Sequence, residues 1–137
     1  MNIKPEINNL KTKILLFGNF YPGNVAQELF LFFLNNGSNV FMVKRNLFNK
    51  PFSDRYLNRL VNFFFKKCLE IILNIYILYK ILKIKPDVFF VVKGLNVYPI
   101  TFLLIKKKSL IVNWNLDDFF NFKNSNTNLI KSIKYFD

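Results

Sequence analysis

The sequence predicts an α/β domain, a mostly parallel sheet with helices on both faces, and three observations predict it. Short apolar runs, "KILLFG", "NVFMVK", "DVFFVV" and "SLIVNW", alternate with longer stretches of helical periodicity. Two of those runs, Ile14–Phe17 and Val88–Val92, are apolar at every position, as strands are when helices cover both faces of a sheet. Turn and cap residues, namely Pro22-Gly23, Asn35-Asn36-Gly37 and Pro86, fall between the runs. Strand followed by helix, repeated along the chain, implies parallel strands joined by right-handed crossovers.

Residues 1–12 are polar, contain Pro5 and form a loose lead-in, so the domain spans residues 13–137. The first strand ends at Gly18 and runs into a loop closed by Pro22-Gly23. Asn24 is placed to cap the helix that follows, and Asn36-Gly37 to end it. Val40–Val43 is the second strand, ending in Lys44 and Arg45. Ser53 and Asp54 open a long helix, Arg55 to Leu82, in which Asn58, Asn62, Lys66, Glu70 and Asn74 form a polar stripe and nearly every other face is apolar. Such a helix either lies deep against the sheet and other helices, or offers apolar surface to a missing domain, a partner or a membrane. Pro86 stops it before the third strand. Asn96 is the candidate cap of a third helix that accepts Pro99 in its first turn. The fourth strand, "SLIVNWN", leads through an Asn-rich loop to a short helix ending near Phe136. The order is that of a Rossmann-like layer.

Composition narrows the chemistry. A chain of 137 residues, 52% hydrophobic, holds one sizeable core. Without histidine, Ser-His-Asp triads, Cys-His dyads and His-liganded zinc are excluded. A single cysteine, Cys68, forms no internal disulfide; its place in a helix that looks packed fits a reducing, cytoplasmic setting. "MNIKPEINNLKTK" has no signal-peptide core, and Lys66, Lys67, Glu70 and Lys80 interrupt the apolar stretch from Leu60 to Leu82. The net charge of +12 comes mostly from Lys. Nucleic-acid surfaces favour Arg for bidentate contacts, so a solvated basic surface, with weak attraction to anionic lipid at the inner face of a membrane, is the better reading.

In doubly wound sheets ligands bind outside the carboxyl ends of the strands, where Gly18, Arg45, Lys93-Gly94 and Asp117-Asp118 all fall. "GNFYPG" lacks the dinucleotide spacing, and neither a P-loop nor a nucleophile elbow occurs. Lys93, after a fully apolar run, must reach the crevice; it contacts a phosphate or carboxylate there, or pairs with Asp117 or Asp118. The two aspartates position a base, bind a divalent metal, or cap a helix. Trp114 is assigned to the core, and Tyr21 to substrate contact.

"KILLFGNFYPGN", "NNGSNVFMVKRN", "KPDVFFVVKGLNVYPIT", "LIVNWNLDDFFNF" and the closing "KYFD" together resemble the N-terminal half of GT-B glycosyltransferases of the CgeB-like, family 1 type. The resemblance implies one of two facing Rossmann-like domains, the acceptor side, whose cleft is built by Gly18, Tyr21, Arg45, Lys93, Gly94, Asp117 and Asp118. It implies that a C-terminal domain holds the nucleotide-sugar donor, that no metal or other cofactor is needed, and that Asp117 or Asp118 is the general base. That donor domain is not among these residues: Asp137 falls where the next strand of the sheet is expected. The chain then reads as a fragment, as a split gene product partnered by a separate C-terminal half, or as a remnant; an acceptor glycan or other small acceptor is the further partner implied, and no transfer is expected from this chain alone. The alternative is a non-catalytic Rossmann-like module that sits on a partner protein or an anionic membrane surface. A receiver-like domain ranks third, because its acidic pair would follow the first strand, where this chain has Gly18, Asn19 and Phe20.

Overall fold

The computed structural model describes residues 11–48, 58–115 and 127–137. Strands β1 (Lys13–Gly18), β2 (Asn39–Lys44), β3 (Val88–Val92) and β4 (Leu110–Trp114) form a single sheet in the order β2-β1-β3-β4. All three pairings are parallel. Between and after the strands lie helices α1 (Val25–Asn35), α2 (Asn58–Ile84), α3 (Pro99–Lys106) and α4 (Thr127–Ser132), with one-turn 3₁₀ segments at Arg45–Phe48 and Ile133–Tyr135. The Rossmann-like α/β class expected from the alternation is what the chain forms.

The two faces of the sheet follow from the alternation of side chains along each strand. Leu15, Phe17, Val43, Phe89, Val91 and Ile111 pack with Leu73, Ile77 and Ile81 of α2 and with Phe102 and Ile105 of α3. Ile14, Leu16, Phe90 and Val92 point the other way, where Ala26, Leu29, Phe30 and Phe33 of α1 cover them. Central strand β1 is therefore buried from Ile14 to Gly18. Each such side chain contributes about 1.5–3 kcal/mol by leaving water.

Local signals set the helix ends. The Asn24 side chain accepts from the Ala26 amide at 3.1 Å. At the other end of α1, Ser38 N–H donates to Phe33 C=O and Gly37 N–H to Leu34 C=O while Gly37 takes φ 80, the paired bonds of a Schellman stop. Pro99 occupies the first turn of α3 as expected. Asn96 does not cap that helix. The extended residue before it is Tyr98, and Asn96 is instead buried against α2, because Pro99 fixes the start of α3 too late in the chain for Asn96 to reach it. Helix α2 runs on to Ile84, two residues beyond the expected Leu82, and leaves through Lys85 in the left-handed region (φ 51) before Pro86. Ser53, Asp54 and the predicted start at Arg55 lie outside the described residues.

The polar stripe of α2 turns inward over its middle, where Glu70 and Asn74 meet the segment between β3 and α3. The opposite side of α2 is bare among the described residues: Phe64, Ile72, Ile75, Tyr79 and Leu82 are all exposed. The same side carries Cys68, which is exposed rather than packed. No helix of the described residues is long and apolar enough to cross a membrane.

Candidate functional site

The strand register sets the edge on which a site can form. Gly18 pairs with Lys44, and Val92 with Trp114, so the four carboxyl ends finish level. From β1 the chain goes outward on one side to β2 and returns on the other side to β3, which makes the β1–β3 boundary the switch point where two loops diverge. A cleft of about 370 Å³ lies there. That volume falls in the range of small-molecule sites, roughly 300–1,000 Å³. Asn19 and Tyr21 line it from the loop after β1, Gly23, Asn24 and Val25 from the start of α1, Arg45 from the end of β2, Val92, Lys93 and Leu95 from β3 and its loop, and Trp114 from β4.

Arg45 is half-buried. Desolvation pushes its guanidinium pKa down and the Glu70 carboxylate pushes it back up, and an arginine so placed stays charged. Its Nε is buried with no hydrogen-bond partner among the described residues, as is Asn19 Oδ1. Lys93 is exposed at the cleft, and its backbone N–H donates to Trp114 C=O at 3.1 Å. Its φ of 69 lies in the left-handed region, which costs a lysine about 1–2 kcal/mol. Gly94 follows with φ 57, so the chain turns sharply just where Lys93 leaves the sheet. Trp114 stacks on Phe90, with ring centroids 6.5 Å apart, and stays 43% exposed.

Beyond Gly94 the loop is held by α2. Asn74, 4% exposed, uses its whole amide: Nδ2 donates to Glu70 C=O (2.7 Å) and Asn96 C=O (2.9 Å), and Oδ1 accepts from the Tyr98 amide (2.8 Å) and the Thr101 hydroxyl (2.7 Å). The Glu70 carboxylate meets Lys67 Nζ at 3.1 Å and the Tyr98 hydroxyl at 3.4 Å. Burial first, and then this carboxylate, raise the Tyr98 pKa, while the same carboxylate raises that of Lys67 through their hydrogen bond. A buried network with its partners satisfied holds one geometry, here that of Asn96 and Tyr98, in the segment that follows Lys93 and Leu95.

Of the residues expected at the site, Tyr21, Arg45 and Lys93 come together in the cleft. Gly18 and Gly94 shape the edge without lining it. A Cβ on Gly18 would lie 2.6 Å from Ala26 Cβ, so the missing side chain lets α1 approach the sheet. A Cβ on Gly94 would lie 3.1 Å from Val91 Cγ1. Asp117 and Asp118 lie outside the described residues. Among the described residues no group of three His, Cys, Asp or Glu is placed to hold a metal.

No family model, curated protein or solved structure matches the chain. The resemblance to glycosyltransferases therefore rests on the quoted residues alone.

Among the lining residues that sequence reasoning missed are Trp114, Asn19 and Leu95. Trp114 reads as core because tryptophan is mostly buried, yet it ends a strand, and the rule that selects Lys93 applies to it equally. Asn19 offered a similar signal, one residue past Gly18 at the end of β1.

Proposed function

We propose that this domain is the acceptor-side half of a glycosyltransferase that moves a sugar from a nucleotide-sugar donor. The observation that carries the reading is the cleft at the carboxyl ends of a Rossmann-like sheet, on the switch point, with two cations and two aromatic side chains around it. In this reading Arg45 and Lys93 orient the acceptor, and Tyr21 and Trp114 flank it. A carboxylate, Asp117 or Asp118, takes the proton of the attacking hydroxyl, since the chain has no histidine. A second Rossmann-like domain, from outside these 137 residues, holds the donor, and no resident cofactor is needed.

The test is a transfer assay on the tagged chain recovered from its native cells together with its donor-binding half, using radiolabelled UDP- and GDP-sugars. Label should reach an acceptor, and Lys93→Ala should abolish transfer while leaving thermal unfolding unchanged. The purified chain alone, saturated with inorganic phosphate, should give no calorimetric isotherm with either nucleotide sugar. Equal turnover by Lys93→Ala, or a saturable isotherm with the isolated chain, would sink the reading.

A second reading, a non-catalytic module on an anionic membrane surface, is favoured by the outer face of α2. Phe64, Ile72, Ile75, Tyr79 and Leu82 are exposed along one helix whose sequence also carries Lys66, Lys80 and Lys83, in a chain of net charge +12. Apolar insertion flanked by lysines is how interfacial helices bind anionic lipid. Co-sedimentation with phosphatidylglycerol vesicles, weakening with salt and absent for phosphatidylcholine, is the expected result. Equal partition to both, or to neither, refutes it, and a protein partner then remains for that face.

A further inference from the structure

We propose that the acceptor held in the cleft is anionic, a phosphorylated sugar or polyol whose phosphate is seated between Arg45 and Lys93. This inference rests on the acceptor-cleft reading above and specifies the chemical class of the acceptor. The described lining residues include two cations and no carboxylate. Among the described residues the acid that acts on Arg45 is Glu70, which does not line the cleft and whose carboxylate is bound by Lys67, Tyr98 and Asn96. The N-terminus of α1, an eleven-residue helix, opens into the same cleft through Gly23, Asn24 and Val25, and adds the positive end of its macrodipole.

Arg45 decides between an anion and a neutral ligand. Its Nε–H is buried without a partner among the described residues, so part of the guanidinium of a cleft-lining arginine is already out of water. Part of the desolvation that phosphate binding would require of the protein is therefore already met by the fold, and a planar fork of donors matches phosphate oxygens. A neutral hydroxyl in that place would satisfy one donor and bring no charge to the guanidinium. Lys93, held at the rim by its left-handed backbone, adds a point charge from the other side of the cleft. Tyr21 and Trp114 then stand where the carbon skeleton of the ligand would lie.

Trp114 is the only tryptophan, so its fluorescence reports on this cleft directly. The whole chain is titrated at constant ionic strength with glucose 6-phosphate, with glucose, and with phosphatidylcholine vesicles with and without phosphatidylinositol. A saturable change is expected with a phosphate ester and none with glucose, and Arg45→Gln should weaken it by at least about tenfold. Because Arg45 is half-buried, the exposed Lys93→Gln serves as a second variant, with a smaller loss of affinity expected and folding intact. A response to glucose 6-phosphate identifies a soluble acceptor, and a response only to phosphatidylinositol identifies a lipid-linked one. Glucose and its phosphate binding alike, no response to any of them, or undiminished phosphate binding in both variants, would overturn the inference. Phosphate binding with no transfer from any nucleotide sugar would leave the anion site standing and remove the glycosyltransferase reading.

Discussion

The two edges of this sheet are finished differently. At the amino ends, polar groups are matched within the chain: Lys13 N–H donates to Asp87 Oδ2 at 2.8 Å, Asp87 N–H returns to Lys13 C=O, and the buried Ser109 hydroxyl donates to Pro86 C=O at 2.7 Å. At the carboxyl ends, Asn19 Oδ1, Arg45 Nε and both polar atoms of the Asn113 amide are buried without partners among the described residues. An unsatisfied buried polar group costs about 1–3 kcal/mol. Among the described residues, the polar atoms without partners gather at the edge where the topology puts the cleft. The amino edge maintains the sheet, and the carboxyl edge is the one equipped to meet something else.

That contrast is most directly broken by a pair of substitutions matched in size. Ser109→Ala removes a satisfied bond at the amino edge and strands the Pro86 carbonyl, and should lower stability by about 1–2 kcal/mol. Asn113→Leu removes two unsatisfied groups at the carboxyl edge, and should leave stability unchanged or raise it by up to about 1 kcal/mol. Urea midpoints of the two variants, compared at equal m-value, give the answer. If Asn113→Leu loses as much as Ser109→Ala, the two edges are equally satisfied, and the carboxyl edge loses its claim to be special.

The architecture was legible because its signals are local. Asn24, Gly37 and Pro86 act within a few residues of where they stand, and a strand covered on both faces shows itself as an unbroken apolar run. The edge that bears the site was legible for a related reason: strand ends can be read from the same runs, and Tyr21, Arg45 and Lys93 follow three of them. What stayed hidden depends on contacts distant in sequence. That Asn96 is buried against α2, its carbonyl taken by Asn74 22 residues earlier, is one such contact. Gly18 reads as part of a ligand cleft until Ala26 is seen against it. Cys68 reads as packed because a mostly apolar helix is normally covered on most sides, whereas the outer face of α2 is bare among the described residues. Periodicity shows how apolar a face is, and it cannot show which of two apolar faces meets the sheet.

The smallest expected effect sharpens the comparison at the outer strand, β4. Asp137 N–H donates to Ile111 C=O, its carboxylate accepts from the Ile111 amide at 3.0 Å, and Lys106 Nζ lies 3.2 Å away. These contacts, the Ile111 amide first and then Lys106, lower the carboxyl pKa below its ordinary 3.8. A carboxyl with a lower pKa folded than unfolded adds stability above its unfolded pKa and loses it as pH falls through the folded value. The contribution should therefore be intact at neutral pH and vanish in acid, below about pH 4. Asp137 is solvent-accessible, so the change will be modest, and it is best read as a difference. Stability against pH for the wild type should fall more steeply in acid than for Asp137→Asn, and the two curves should converge at the lowest pH. Parallel curves would show that the carboxylate is not held by Ile111 and Lys106 in solution. The Ile111 amide would then join the side-chain atoms of the carboxyl edge as a polar group that the described residues do not satisfy.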